Sequence, residues 1–294
     1  TVEGAVLGDG TVAGFQVSPG AVAYSAAGSV EGLDLERMGR AFEIAAIAKP
    51  EYASRVNGTF DVKGSVPRRP PARRQADSTL AGMTLDATGR LKDTEIMGGR
   101  LPDLGFETHI AGGALTGRAD GRFEDFDPAR LTSRDSLKGR VTGTINANVA
   151  IANLGAPITP ESITANGQLT VASSTVGGID IESAAVDGQY ARQVGDVKRF
   201  TLTSPDVKAE ASGRIALDQS SQSDLTYRVE AINVPKLAEL AGQKGIGGSA
   251  TVEGRVTGNR ASLSTTGTLD GSNLSYRENS ALDLDSSYTV TVPD

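Results

Sequence analysis

The stretch Val207-Lys208-Ala209-Glu210-Ala211-Ser212-Gly213-Arg214-Ile215-Ala216-Leu217-Asp218 changes character at nearly every residue. Val207, Ala209, Ala211, Gly213, Ile215 and Leu217 fall on one side, and Lys208, Glu210, Ser212, Arg214 and Asp218 on the other. A period of two places one set against a core and the other in water, as in a half-buried β-strand. Parallel sheet wrapped by helices would read as continuous apolar runs instead, so the pattern predicts antiparallel sheet with one solvated face.

The same alternation returns elsewhere. Over Val141–Ile151 the apolar side holds Val141, Ile145, Val149 and Ile151, with Thr142, Thr144, Asn146 and Asn148 between them. Val252 and Val256 alternate with Thr251, Glu253 and Arg255. In Leu282–Val292 the apolar side carries Leu282, Leu284, Tyr288, Val290 and Val292, against Asp283, Asp285, Ser287, Thr289 and Thr291. Glycine-rich punctuation such as Gly8-Asp9-Gly10 and Gly112-Gly113 supplies turns.

Composition narrows the function classes. There are 36 glycines and no Trp, and aromatics make up 4% of 294 residues, too few to anchor a compact core on large rings. The net charge of −7 disfavours a nucleic-acid partner, whose phosphates it would repel. With no Cys and a single His, disulfides, thiolate metal sites and two-imidazole sites are excluded. No run approaches the roughly 20 apolar residues of a membrane span. The most apolar stretch, Ala41–Ala48, is interrupted by Glu43. No signal peptide is visible, and both ends read as strand, which suggests an internal piece of a longer protein.

A long repeat is superposed on the alternation. Leu33-Asp34-Leu35-Glu36-Arg37-Met38, Phe126-Asp127-Pro128-Ala129-Arg130-Leu131 and Ile232-Asn233-Val234-Pro235-Lys236-Leu237 share an apolar–Asx–x–x–basic–apolar pattern, spaced by 93 and 106 residues. Each reads as a strand running into a short helix, with Asp34, Asp127 and Asn233 placed to accept the free N–H groups of the first turn. Pro128 and Pro235 are tolerated there, where those groups have no intrahelical partner. In the first copy Leu35, Met38, Phe42 and Ala45 share a helical face. An apolar–x–Gly start to a new strand follows at Val56-Asn57-Gly58, Leu137-Lys138-Gly139 and Ile246-Gly247-Gly248. Gly–x–Leu recurs at Gly89-Arg90-Leu91, Gly167-Gln168-Leu169 and Gly267-Thr268-Leu269, each followed by an apolar, β-rich stretch. The approximate repeat units are 1–120, 121–225 and a truncated 226–294 within one elongated repeat region. The proline- and arginine-rich run Pro67–Gln75 reads as a loop insertion.

These pieces, with Gly267–Asp294 and its Ala281-Leu282-Asp283-Leu284-Asp285-Ser286-Ser287-Tyr288 run, resemble the TamB/AsmA-like superfamily of bacterial envelope proteins, the β-taco group of bridge-like lipid-transfer proteins. The resemblance implies an all-β, mostly antiparallel sheet with a few short helices, curled into a half-pipe with an apolar interior. It implies a periplasmic protein, anchored to the inner membrane through regions outside this piece. Its groove would carry phospholipid acyl chains between the membranes and support outer-membrane biogenesis, with an outer-membrane β-barrel assembly protein as a partner. The apolar positions named above, from Val141 to Val292, are the expected lining. A structural or adhesive β-repeat module, or an assembly factor pairing its sheet edge with client strands, are the alternatives.

No enzyme, cofactor or metal site is expected. No nucleophile–His–acid set can be nominated, and no glycine-rich loop ends in the Gly-Lys-Ser/Thr of a phosphate-binding loop. His109 reads as a surface or turn residue, and Asp283 and Asp285 as a solvated strand face rather than a metal pair. Arg68, Arg69, Arg73 and Arg74 read as a solvated loop, with anionic headgroups as the sharper alternative.

Overall fold

The computed structural model describes residues 6–7, 16–17, 21–41, 48, 50–67, 82–132, 134–156, 158–240, 242–276 and 279–293. Phe42, Ala45, the Gly8-Asp9-Gly10 turn and Arg68, Arg69, Arg73 and Arg74 lie outside the described residues. The fold is all-β and antiparallel, with a few short helices, as the alternation predicts. The chain divides into two compact units, Thr1–Phe126 with Thr144–Ala165, and Asp127–Gly143 with Asn166–Asp294.

In the first unit β1 (Val6–Leu7) and β2 (Gln16–Val17) pair with β3 (Ala21–Leu33). Helix α1 (Leu35–Ala41) follows β3. From there β4 (Ser54–Pro67), β5 (Thr84–Ile96), β6 (Gly99–Ala111) and β7 (Ala114–Phe126) form a meander, β3 pairing with β4 and each later strand with the one before.

The second unit begins with α2 (Pro128–Thr132). Strands β8 (Gly139–Ile151) and β9 (Ile163–Val171) contribute residues to both units. The short hairpin β10 (Ser174–Val176) and β11 (Ile179–Ile181) pairs with the start of β8. A second meander runs through β12 (Ser183–Ala191), β13 (Val194–Thr203), β14 (Val207–Ala216) and β15 (Ser223–Ala231). After α3 (Val234–Leu240) it continues through β16 (Ile246–Asn259), β17 (Ser262–Tyr276) and β18 (Asn279–Pro293). Strand β14 ends two residues before Asp218, whose carboxylate accepts the N–H groups of Ser220 and Ser221 and so starts a loop.

Among the described residues, four hairpins close through two residues with positive φ: Met97-Gly98, Gly112-Gly113, Gly177-Gly178 and Arg192-Gln193. This is the turn geometry whose twist matches that of paired strands. Three of the four are marked by glycine, whereas Arg192-Gln193 carries no such signal.

The Asx positions cap their helices. Asp34 accepts the N–H of Glu36 at 3.0 Å, Asp127 that of Ala129 at 3.1 Å, and Asn233 that of Lys236 at 3.5 Å. The Asp127 carboxylate also accepts the N–H of Gly139 at 3.1 Å, so one side chain holds both the helix and the following strand. The strands that follow α1 and α2 are braced alike. The Asn57 N–H donates to the hydroxyl of Thr94, and the Thr142 N–H to the hydroxyl of Ser174, each at 3.0 Å. Both hydroxyls are buried.

The basic residue of the third copy reaches outside its own motif. Lys236 Nζ lies 2.6 Å from the Asp206 carboxylate, which also accepts a bond from Asn233 Nδ2 at 2.9 Å. The Asp206 carbonyl accepts the N–H groups of Ile232 and Asn233. Asp206 is buried, so its charge relies on these partners in place of water. The Lys236 hydrogen bond, then that of Asn233, holds its carboxyl below the ordinary carboxylate range. A depressed pKa in the folded state means the stabilisation is present above the unfolded pKa and fades as pH falls through the folded one. Asp206→Asn should therefore lower the thermal midpoint at pH 7, with the gap to the native chain closing as pH drops below about 4. Thermal melts across pH, followed by circular dichroism, check this.

Candidate apolar groove

The observed registers carry the apolar positions across neighbouring strands. In the second unit one row runs Ala209, Val229, Val252 and Leu269, and the next runs Ala211, Tyr227, Gly254, Gly267 and Tyr288. A third runs Gly213, Leu225, Val256, Thr265 and Val290. In the first unit Gly64, Leu85, Ile110 and Leu115 form one row, and Phe60, Gly89, Phe106 and Ala119 another.

These faces are incompletely covered. Val141, Ile145, Ile151, Ile215, Val252, Val256 and Tyr288 are half-buried. Val149, Leu284 and Val290 are exposed, while Val292 retains 61% and Leu282 78% of its accessible surface. Leu217, also exposed, lies just past the end of β14, where its N–H donates to the Gln193 carbonyl. Of the expected lining only Val207 is buried. A sandwich core sealed by a second layer would hold such positions near zero exposure, because interiors fill to crystal-like density.

Glycine and the few aromatic rings explain how an incompletely buried face holds together. Tyr227 on β15 and Tyr288 on β18 reach toward each other across β16 and β17, and their hydroxyls meet at 2.5 Å above Gly254 and Gly267. A Cβ on Gly254 would come within 2.6 Å of the Tyr288 hydroxyl and 2.7 Å of the Tyr227 hydroxyl. Rings need bare backbone in order to lie this close. The same seating recurs in the first unit, Tyr24 over Gly64 and Phe106 over Gly89. The hydroxyls form a satisfied chain: Tyr227 is 2.6 Å from the Thr265 hydroxyl, and Tyr288 donates to the Glu253 carbonyl. Burial, then the bond to Tyr227, pushes the Tyr288 hydroxyl up to about 12. It stays protonated throughout the neutral range. Alternation alone could not reveal this clasp, since its members are 61 residues apart in sequence.

Within each unit the opposite face is charged and cross-paired. Arg90 pairs with Asp103, Arg228 with Glu253, Arg214 with Asp196 at 3.1 Å and Arg255 with Asp224 at 2.6 Å. The arginine hydrogen bonds hold the Asp103, Asp196 and Asp224 carboxyls below their ordinary range. Such exposed pairs add little stability each, but they fix cross-strand register. His109 lies on this face in β6, exposed, with Nδ1 2.5 Å from the Asp86 carboxylate on β5. In the second unit Asp283 and Asp285 are exposed, as a solvated strand face requires. Among the described residues no cluster of three His, Asp or Glu side chains could hold a metal, and no helix is long and apolar enough to cross a membrane. No protein family, curated protein or solved structure matches the chain.

Two glycine substitutions separate the ring seat from a plain strand position. Gly267→Ala would meet the Tyr288 hydroxyl at 2.6 Å and press on the Glu253 carbonyl, so it should cost about 1–3 kcal/mol in urea unfolding. Gly105→Ala meets only the Asp120 carbonyl, at 3.6 Å, and should leave the unfolding midpoint within about 0.5 kcal/mol of the native chain.

Proposed function

We propose that this chain is a segment of a TamB/AsmA-like envelope protein whose apolar sheet faces receive phospholipid acyl chains on their way between inner and outer membranes. The observation that carries the reading is the incomplete burial of alternating Val, Leu and Ile positions, from Ile145 to Val292, in strands whose other face is charged and solvated.

The physics asks little more of such a site. An acyl chain needs continuous apolar surface and gains roughly 25 cal/mol for each Å² it removes from water. It needs no directional polar contact along its length. Strand β16, with 14 residues, runs roughly 46 Å at the usual rise per residue, which offers a long track. The Tyr227 and Tyr288 rings lie over Gly254, between Val252 and Val256, and add their own apolar edges to this face. The polar relay between Tyr227 and Tyr288 is internally satisfied and does not compete for a ligand. In this reading the chain acts in the periplasm, tethered by parts of the protein outside this piece, and contributes to outer-membrane biogenesis. It acts as a conduit and not as an enzyme.

Purification from a Gram-negative host and mass spectrometry of an organic extract should recover phospholipid with the chain. A photo-crosslinking residue at Ile145 or Ile215 should capture lipid, while one at Ser212, on the polar face of β14, should not. Lipid-free protein with no capture at either apolar position, or equal capture from both faces, would overturn the proposal.

A further inference from the structure

The hairpin joining β12 and β13 turns through Arg192 and Gln193, with φ of 49° and 61°. Neither is Gly, Asn or Asp, the residues that reach this left-handed region most easily. The chain uses glycine at both positions of the equivalent turns Gly112-Gly113 and Gly177-Gly178. Backbone strain kept by ill-suited residues points to a use for their side chains.

The turn forms one wall of a cavity of about 730 Å³, a volume within the range of small-ligand pockets. The loop after β14, from Asp218 to Ser221, forms another wall. This loop is fastened in advance. The Asp218 carboxylate accepts the N–H groups of Ser220 and Ser221, each at 2.6 Å, and its carbonyl accepts the Arg260 N–H at 3.0 Å. Asn259 Nδ2 donates to the Gln219 carbonyl at 2.8 Å. The Leu217 N–H donates to the Gln193 carbonyl at 2.8 Å, which sets Asp218 beside the turn.

The lining carries two arginines and two aspartates. Arg214 Nε donates to Asp196 at 3.1 Å, and Gln189 Nε2 to the same carboxylate at 3.3 Å, so that group is self-contained. Among the described residues the Arg192 guanidinium and the Gln193 side-chain amide have no partner, and Arg192 is exposed. Asp218 stays charged at neutral pH, because hydrogen bonds from Ser221, then Ser220, hold its carboxyl well below the ordinary range. The cavity therefore presents one unmatched guanidinium, one amide and one fixed carboxylate. A simple anion would meet the carboxylate, and a simple cation the guanidinium. A ligand with one charge of each sign suits both.

We infer that this cavity binds a zwitterionic phosphodiester of the kind found in a phospholipid headgroup, its phosphate at Arg192 and Gln193 and its ammonium toward Asp218. The planar guanidinium matches phosphate oxygens in a way a point charge does not. Apolar positions adjoin the same strand end. Ile215 Cγ2 lies 3.1 Å from where a Cβ on Gly195 would stand, and Leu217 is exposed. Acyl chains attached to a headgroup at the turn would run onto the face that carries Ile215. That last step rests on the conduit reading, whereas recognition of the headgroup does not.

NMR titration of the full chain with three probes tests the inference: glycerophosphoethanolamine, glycerophosphoglycerol, which lacks the ammonium, and dihexanoyl phosphatidylethanolamine. Glycerophosphoethanolamine should shift the amide signals of Arg192, Gln193 and Ser220 and bind at least about tenfold tighter than glycerophosphoglycerol. The short-chain lipid should bind tighter still. Affinity equal to that of the soluble headgroup would support the cavity and count against the conduit. The Arg192→Asn/Gln193→Gly variant separates a site from a plain turn. Asn-Gly suits the turn better, so the thermal midpoint should rise while headgroup affinity falls at least about tenfold. No shift at these amides, equal affinity for the two soluble probes, or affinity unchanged in the variant would each overturn the inference.

Discussion

An antiparallel meander that leaves its apolar face incompletely buried cannot draw its stability from a sealed core, and the whole arrangement answers to that constraint. Side chains such as Val252, Val256 and Leu269 lie in register with neighbours along their own face and remain half-buried. Cohesion must come from within the sheet: continuous backbone ladders, rings laid over glycines, and charge pairs that fix register on the wet side. The Tyr227–Tyr288 clasp is the clearest case, since it ties β15 to β18 across two intervening strands. Abundant glycine and scarce aromatic residues are thus one feature. Each ring needs a bare stretch of backbone to lie on, and a few rings suffice.

The short helices serve the same economy. Each begins at an Asx residue that closes its first turn, and two of the strands that follow are fastened by a buried hydroxyl, Thr94 or Ser174. At α3 the fastening is electrostatic, with Lys236 and Asn233 gripping the buried Asp206 at the corner between β13 and β14. These local ties hold the places where the meander leaves and rejoins the sheet, where a ladder alone would fray.

What could be read in the sequence follows from what is local. The alternation in Val207–Asp218 and Leu282–Val292 identifies strands and their two faces because side-chain period is a property of the backbone. The caps at Asp34, Asp127 and Asn233 were legible for the same reason. The Arg192-Gln193 turn was not, because neither residue advertises positive φ. The role of Asp206 was hidden because its partners lie 27 and 30 residues away. The seat of Tyr288 over Gly254 and Gly267 depends on registers between strands, which alternation does not specify. Of the site, the identity of the face was legible, and its degree of exposure was a matter of which elements come to lie over it.

The absence of cysteine makes that exposure directly measurable. Single cysteines introduced at Val256, Val290 and, as a buried reference, Ala216 would each be exposed to a maleimide under native conditions, and their labelling rates compared with those of the unfolded chain. The account predicts fast labelling at Val256→Cys and Val290→Cys, slowed by added phospholipid, and strong protection at Ala216→Cys. Protection at Val256→Cys and Val290→Cys as complete as at Ala216→Cys, in lipid-free protein, would show a covered face and contradict it.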